Sequence, residues 1–280
     1  MSSLAHLALG LAALYAAVVA AMYLAQTWLL FPTALAGTAG VRLPASAQRL
    51  EASTPDGEVL VGVRIPAATG EGADGRAPTL LGFGGNAWNA DAMALHLHGL
   101  FPGREVAAFH YRGYAPSTGR PNAEVLLSDA VLVFDRIQQA HARERGVVAV
   151  GFSIGAGVAA HLARHRPVAG LVLVTPFDSL ETLARDLYWW VPVGPLLRHR
   201  MPTIDFVRGS PVPTALIVAE RDTIVPARRS MALRQAVGNL VFEATVDAGH
   251  NDLYGRSGFA AAMREALARI EAASGRASGR

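Results

Sequence analysis

From Leu7 to Ala25 the chain carries no charged residue, and the apolar run continues through Trp28-Leu29-Leu30-Phe31 to Pro32. Alanine and leucine dominate it, so it reads as helix. At ~1.5 Å per residue, about 20 residues cross a ~30 Å hydrocarbon core. A transmembrane helix is therefore expected over residues 4–31, with Tyr23 and Trp28 near its distal interface. A cleaved signal peptide competes, because Ala34-Leu35-Ala36 is a small-x-small site. The apolar stretch exceeds the usual ~7–15 residue signal core, and no Lys or Arg lies between Met1 and Leu9, which favours a retained anchor. A buried core helix is disfavoured because the segment shows no polar face. Arg42 and Arg49 follow the span, so positive-inside logic leans towards a cytoplasmic catalytic domain on a single-pass membrane protein.

Beyond a linker over 32–48 the pattern shortens. Arg49 to Thr54 and Glu58 to Ile65 are strand-like runs around the turn Pro55-Asp56-Gly57, a β-hairpin signal. Ala68 to Ala77 is rich in Gly, Asp and Thr and reads as a solvated loop. Short apolar runs then recur at Thr79 to Phe83, Glu105 to Phe109, Val147 to Val150, Leu171 to Val174, Thr214 to Ala219 and Leu240 to Val246. Helical periodicity lies between most of them, at Ala90 to Leu100, Ala123 to Gln139, Ile154 to Arg166 and Arg228 to Ala236, and Tyr254 to Ala272 closes the pattern. Strands alternating with helices predict an α/β domain over 49–274, a mostly parallel sheet covered on both faces with an antiparallel N-terminal hairpin, preceded by one transmembrane helix. In open α/β sheets the chemistry sits beyond the carboxyl ends of the strands.

Composition narrows the function. All 25 basic residues are arginine against 22 acids, for a formal net charge of +3, and no basic stripe interleaves with aromatics, which argues against nucleic acid. The absence of cysteine excludes disulfides and thiol catalysis. No His/Asp/Glu cluster has metal-ligand spacing, so no metal or other cofactor is expected.

The loops hold one strong signal. Gly151-Phe152-Ser153-Ile154-Gly155 follows the apolar run at Val147 and precedes the small-residue helix from Ala156. A sharp strand-to-helix turn strains its apex and crowds the flanking positions, so a serine between two glycines is exposed above the sheet. A serine hydroxyl needs a base, and the base needs an orienting acid. Of nine histidines, His250 in Asp247-Ala248-Gly249-His250-Asn251-Asp252 follows the last strand; His110 is second choice. Asp222 in Glu220-Arg221-Asp222-Thr223-Ile224-Val225-Pro226 completes the order nucleophile, acid, histidine, with Asp178 and Glu220 as alternatives and Asp252 as a structural loop acid. Oxyanion donors are expected at the amides of Ile154 and of Asn86, with Ala87 next, in the loop Gly84-Gly85-Asn86-Ala87. The same loop fits a dinucleotide fingerprint, but the next strand ends Phe109-His110-Tyr111-Arg112 without the carboxylate that would hold a ribose.

Between Pro176 and Pro213 a longer excursion contains Leu183, Leu187, Tyr188-Trp189-Trp190-Val191, Leu196 and Leu197. It is expected either to cap an acyl pocket near the bilayer or to pack on the core, with the cap slightly favoured and Tyr188, Trp189 and Trp190 as candidate substrate contacts.

On Gly85-Asn86-Ala87, Tyr111-Arg112-Gly113-Tyr114, Gly151-Phe152-Ser153-Ile154-Gly155, Asp222-Thr223-Ile224-Val225-Pro226 and Gly249-His250-Asn251-Asp252, the chain resembles the α/β-hydrolase superfamily. It is most similar to the membrane-anchored α/β-hydrolase-domain proteins, with a serine-aminopeptidase-like hydrolase domain. The resemblance spans Arg49 to Ala272 and implies Ser153 as nucleophile, Asp222 as acid and His250 as base. The family usually has histidine before the Gly-Asn pair; here it is Gly84, which implies a reshaped oxyanion loop. The implied reaction is ester or thioester cleavage, with acyl lipids or small acylated molecules as substrates, the bilayer as partner through the N-terminal helix, and no obligate protein partner. An amide-cleaving peptidase on the same residues and a non-catalytic binding protein remain open alternatives.

Overall fold

The computed structural model describes residues 3–37, 40–68, 77–139 and 146–278. Most of the solvated loop expected over Ala68 to Ala77, residues 69–76, lies outside them. An eight-stranded sheet has the order β1-β2-β4-β3-β5-β6-β7-β8. The strands are β1 (Gln48–Ser53), β2 (Val59–Ile65), β3 (Thr79–Phe83), β4 (Val106–Phe109), β5 (Val147–Phe152), β6 (Gly170–Val174), β7 (Thr214–Ala219) and β8 (Leu240–Val246). β1 pairs antiparallel with β2 and β2 antiparallel with β4; the remaining neighbours are parallel. This is the α/β-hydrolase fold, with the expected hairpin at one edge.

The helices are α1 (Ser3–Leu30), α2 (Ala90–Leu100), α3 (Ala123–Ile137), α4 (Ile154–His165), α5 (Leu180–Leu187), α6 (Val193–Leu196), α7 (Thr203–Val207), α8 (Ala227–Ala236) and α9 (Ser257–Ser278). Every β5 residue is buried. Val147 and Ala149 face one core layer with Leu126 of α3 and Leu162 of α4, whereas Val148 and Val150 face the other with Met93 of α2 and Phe259 of α9. Alternation with period two on a strand covered on both faces explains why its sequence is a continuous apolar run. Side-chain caps begin α2 and α3: Asn89 accepts from the Asp91 and Ala92 amides, and Asn122 from the Val125 amide. The helix expected from Tyr254 starts later, because a 3-10 turn over Leu253–Gly255 intervenes and buries Leu253.

α1 is long and apolar enough to cross a membrane. It is not detached from the domain. Gln26 is buried, its amide donating to the carbonyls of Tyr23 (2.8 Å) and Leu196 (3.2 Å) and accepting from the Arg198 amide (2.8 Å). Tyr15 donates to the Trp190 carbonyl, the Arg198 guanidinium lies 4.9 Å from the centre of the Tyr23 ring, and Thr27 Oγ1 is 2.8 Å from His199 Nε2. Phe31 is buried in the core, and Asn89 ties the Gly37 carbonyl. The segment expected as a linker is therefore partly docked. Tyr15, Tyr23 and Gln26 fall on one side of α1, so the helix does carry a narrow polar stripe, hidden from composition by two tyrosines that look apolar on most scales.

Candidate active site

The site is built at the carboxyl end of β5. Ser153 sits between that strand and α4 with φ 52° and ψ −117°, outside the regions L-residues prefer. Such backbone is held at a cost of roughly 1–3 kcal/mol by its surroundings. The Ser153 amide donates to the Val174 carbonyl of the neighbouring strand at 2.9 Å. A Cβ on Gly151 would fall on the Gly155 carbonyl, and one on Gly155 on the Phe83 carbonyl of β3, so α4 can lie close to the sheet only with glycine at both positions.

Gly155→Ala should therefore destabilise the fold by about 3 kcal/mol, the range of an overpacked core. That corresponds to a denaturation midpoint lower by roughly 10 °C for a domain of this size. Gly99→Ala, at a position with open space around it, supplies the comparison. Equal midpoints for the two variants in thermal melts would refute the packing argument.

Two further strand ends deliver the partners. His250, after β8, is buried, and its Nε2 lies 3.1 Å from Ser153 Oγ. Its Nδ1 lies 2.7 Å from Asp222 Oδ2, after β7. A carboxylate can only accept, so Nδ1 carries the proton and Nε2 is left to accept from the serine. Asp222 is itself fixed, because its Oδ1 accepts from the amides of Ile224 (2.9 Å) and Val225 (2.7 Å). The three residues that the sequence singled out thus converge on one hydrogen-bonded line. The alternatives go elsewhere. Asp178 pairs with Arg229 and Thr182, Glu220 is exposed, and His110 is buried 3.4 Å from Asp91 in a separate cavity. Asp252 accepts from the Gly249 amide at 2.6 Å and so shapes the His250 loop; its Arg256 partner and that amide hold its carboxyl below the usual range.

Asn86 and Ala87 occupy the centre of a turn closed by the Trp88 amide on the Gly85 carbonyl (3.2 Å). Both line a cavity of about 510 Å³ together with Ser153, Ile154 and His250. A turn's central amides make no bond within it, and Ile154, as first residue of α4, has an amide without an intrahelical acceptor. Behind this loop stand two residues to which the sequence assigned no role. Tyr111 donates to the Gly84 carbonyl (2.8 Å) and Tyr114 to the Asn86 carbonyl (2.6 Å). Burial pushes both phenols above their ordinary pKa, so they remain donors. The signal was present in Tyr111-Arg112-Gly113-Tyr114, at the end of the strand beside β3. Trp88 was also missed; it packs 5.0 Å from Phe152 and 4.6 Å from Tyr254, ring centre to ring centre, as one wall of the cavity. Tyr254 is pushed up to about 12, mainly by burial and further by the Asp222 carboxylate.

The excursion folds as α5, α6 and α7, and α5 begins at a Ser179 cap. Leu180 and Leu183 are buried, while Leu187 and Tyr188 reach the cavity. The expectation for the three aromatics needs correcting. Tyr188 lines the cavity, but Trp189 is 83% exposed and Trp190 lies edge-on against Tyr15 of α1. The physical reason is that α5 ends at Leu187 with Tyr188 as its C-cap, so three consecutive side chains leave the turn in different directions.

Residues 80–194 match the family described as alpha/beta hydrolase fold. The chain is 35% identical over 204 residues to the uncharacterized protein Rv2307c of Mycobacterium tuberculosis, covering 71% of this chain and 70% of that one. It is 28% identical over 142 residues to the lysophosphatidylserine lipase ABHD12 of Danio rerio, covering 44% of this chain and 37% of that one. Among solved structures, the Pyrococcus furiosus esterase PF2001 superposes with a TM-score of 0.67 at 19% identity, over 84% of this chain and 96% of that one.

Proposed function

Because this chain belongs to the α/β-hydrolase superfamily and is a hydrolase by fold, we propose that it is a membrane-anchored serine hydrolase cleaving carboxylic ester or thioester bonds in acyl lipids or acylated molecules. The observation that carries this reading is the line Asp222–His250–Ser153, with contacts of 2.7 Å and 3.1 Å. His250 Nε2 takes the Ser153 proton as Oγ attacks the carbonyl carbon, and Asp222 holds the ring and offsets its positive charge. The amides of Ile154 and Asn86 receive the developing oxyanion, each worth about 3 kcal/mol of barrier. The alcohol or thiol leaves with the proton from His250. Water, deprotonated by the same nitrogen, then frees the acid and restores the serine. The imidazole must be neutral to accept that proton.

Ester chemistry is supported by the esterase and the lipase among the similar proteins. Retention of α1 as an anchor is supported by the buried Gln26 and Phe31, which a signal-peptide cut at Ala36 would remove. The side of the membrane follows the leaning given by Arg42 and Arg49, towards the cytoplasm.

The test is covalent labelling of the full-length protein in detergent with a fluorophosphonate, followed by mapping of the modified peptide. A single adduct on Ser153, prevented by prior incubation with an acyl ester, is expected. No adduct, or one on another residue, would dismiss the serine-hydrolase reading.

A further inference from the structure

Part of the cavity wall does not come from the α/β domain. Leu29 and Leu30 of α1 line it, although α1 enters the fold as an anchor. A second cavity of about 110 Å³ runs between α1 and the excursion, and it shares Leu29, Leu30, Ala184 and Tyr188 with the first. On α1 its wall continues through Val19, Met22 and Gln26, at helical spacing along one side. Gln26, the one amide there, already has its polar atoms engaged by Tyr23, Leu196 and Arg198. What faces the groove is therefore mostly hydrocarbon, with the phenols of Tyr23 and Tyr188 as the other polar groups in its lining.

The depth of the groove matters. From Ser3 to Leu30, α1 is about 42 Å long at ~1.5 Å per residue, longer than a ~30 Å hydrocarbon core. Tyr15, near its middle, bonds the carbonyl of Trp190, and the neighbouring Leu187 and Trp189 are exposed. The tip of the excursion thus stands beside the middle of α1, the stretch that would cross a bilayer. From Val19 to Leu30 the groove follows roughly 16 Å of helix axis. That is the length of about a dozen carbons, taking extended C–C bonds of ~1.5 Å.

Resting on the serine-hydrolase reading of Ser153, we infer that α1 is part of the substrate site: the acyl chain of a single-chain ester enters sideways from the bilayer, between α1 and the excursion, and lies along Met22, Leu29 and Ala184 with its carbonyl at Ser153. At about 110 Å³ the groove has no room for two chains, so a second acyl chain stays in the membrane.

The test uses full-length protein in phosphatidylcholine vesicles, with p-nitrophenyl butyrate and p-nitrophenyl laurate as substrates. Met22→Trp fills the groove from α1, and Ala184→Leu fills it from the excursion, independently of membrane insertion. Each should lower the laurate-to-butyrate ratio of kcat/KM at least tenfold. Leu24→Trp, on the exposed opposite side of α1, should preserve the ratio. Fluorophosphonate labelling of Ser153 in each variant reports an intact site. Unchanged ratios with labelling retained, or equal losses on both esters, overturn the role of α1 while the hydrolase reading stands. Absence of labelling in the parent protein removes both.

Discussion

Replacing Ser153 by alanine is expected to lower kcat on any ester by about 10⁵- to 10⁶-fold, the loss seen when a triad nucleophile is removed. The variant should fold normally. The hydroxyl makes its hydrogen bond to His250, and alanine meets the same backbone strain at φ 52° that serine does. Thermal melts of the two proteins should coincide, which separates lost chemistry from lost structure. Residual turnover above about one-hundredth of the parent rate would mean that the hydroxyl is not the attacking group, since the oxyanion donors and binding alone leave far less.

Asp222→Asn is expected to lower kcat about 10⁴-fold with little change in stability. The amide oxygen can take over the role of Oδ1, accepting from the Ile224 and Val225 amides, so the loop after β7 keeps its shape. The amide nitrogen then faces His250 Nδ1 where a carboxylate oxygen stood. Two donors cannot share that contact, so the ring proton moves to Nε2, and the nitrogen next to Ser153 becomes a donor. Asp222→Ala would lose the loop contacts as well and should melt at a lower temperature. Equal activity of parent and Asp222→Asn in a steady-state ester assay would show that the carboxylate neither orients nor stabilises the imidazole.

Much of this arrangement was legible because it is local. The strands at Thr79 and Thr214 coincide with the apolar runs, since a strand covered on both faces has little room for a polar residue. The elbow at Ser153 was visible because its glycines answer a steric demand of the adjoining chain. Asp222 and His250 could be chosen because strands that run parallel bring their following loops to one edge of the sheet. Trp189 and Trp190 illustrate the limit. Composition marks them as contact residues, but the end of α5 at Leu187 decides which aromatic reaches the cavity.

By itself the amino-acid sequence determined the alternation of elements, the membrane-compatible helix and which side chains would meet at Ser153, because periodicity, turn chemistry and residue type act over a few neighbouring positions. Tertiary packing alone decided that α1 walls the cavity and that Tyr111 and Tyr114 brace the loop at Asn86. Gln26 meets Leu196 across 170 positions of chain. Such a contact depends on where whole elements settle when their apolar faces are buried, and no local pattern encodes that distance.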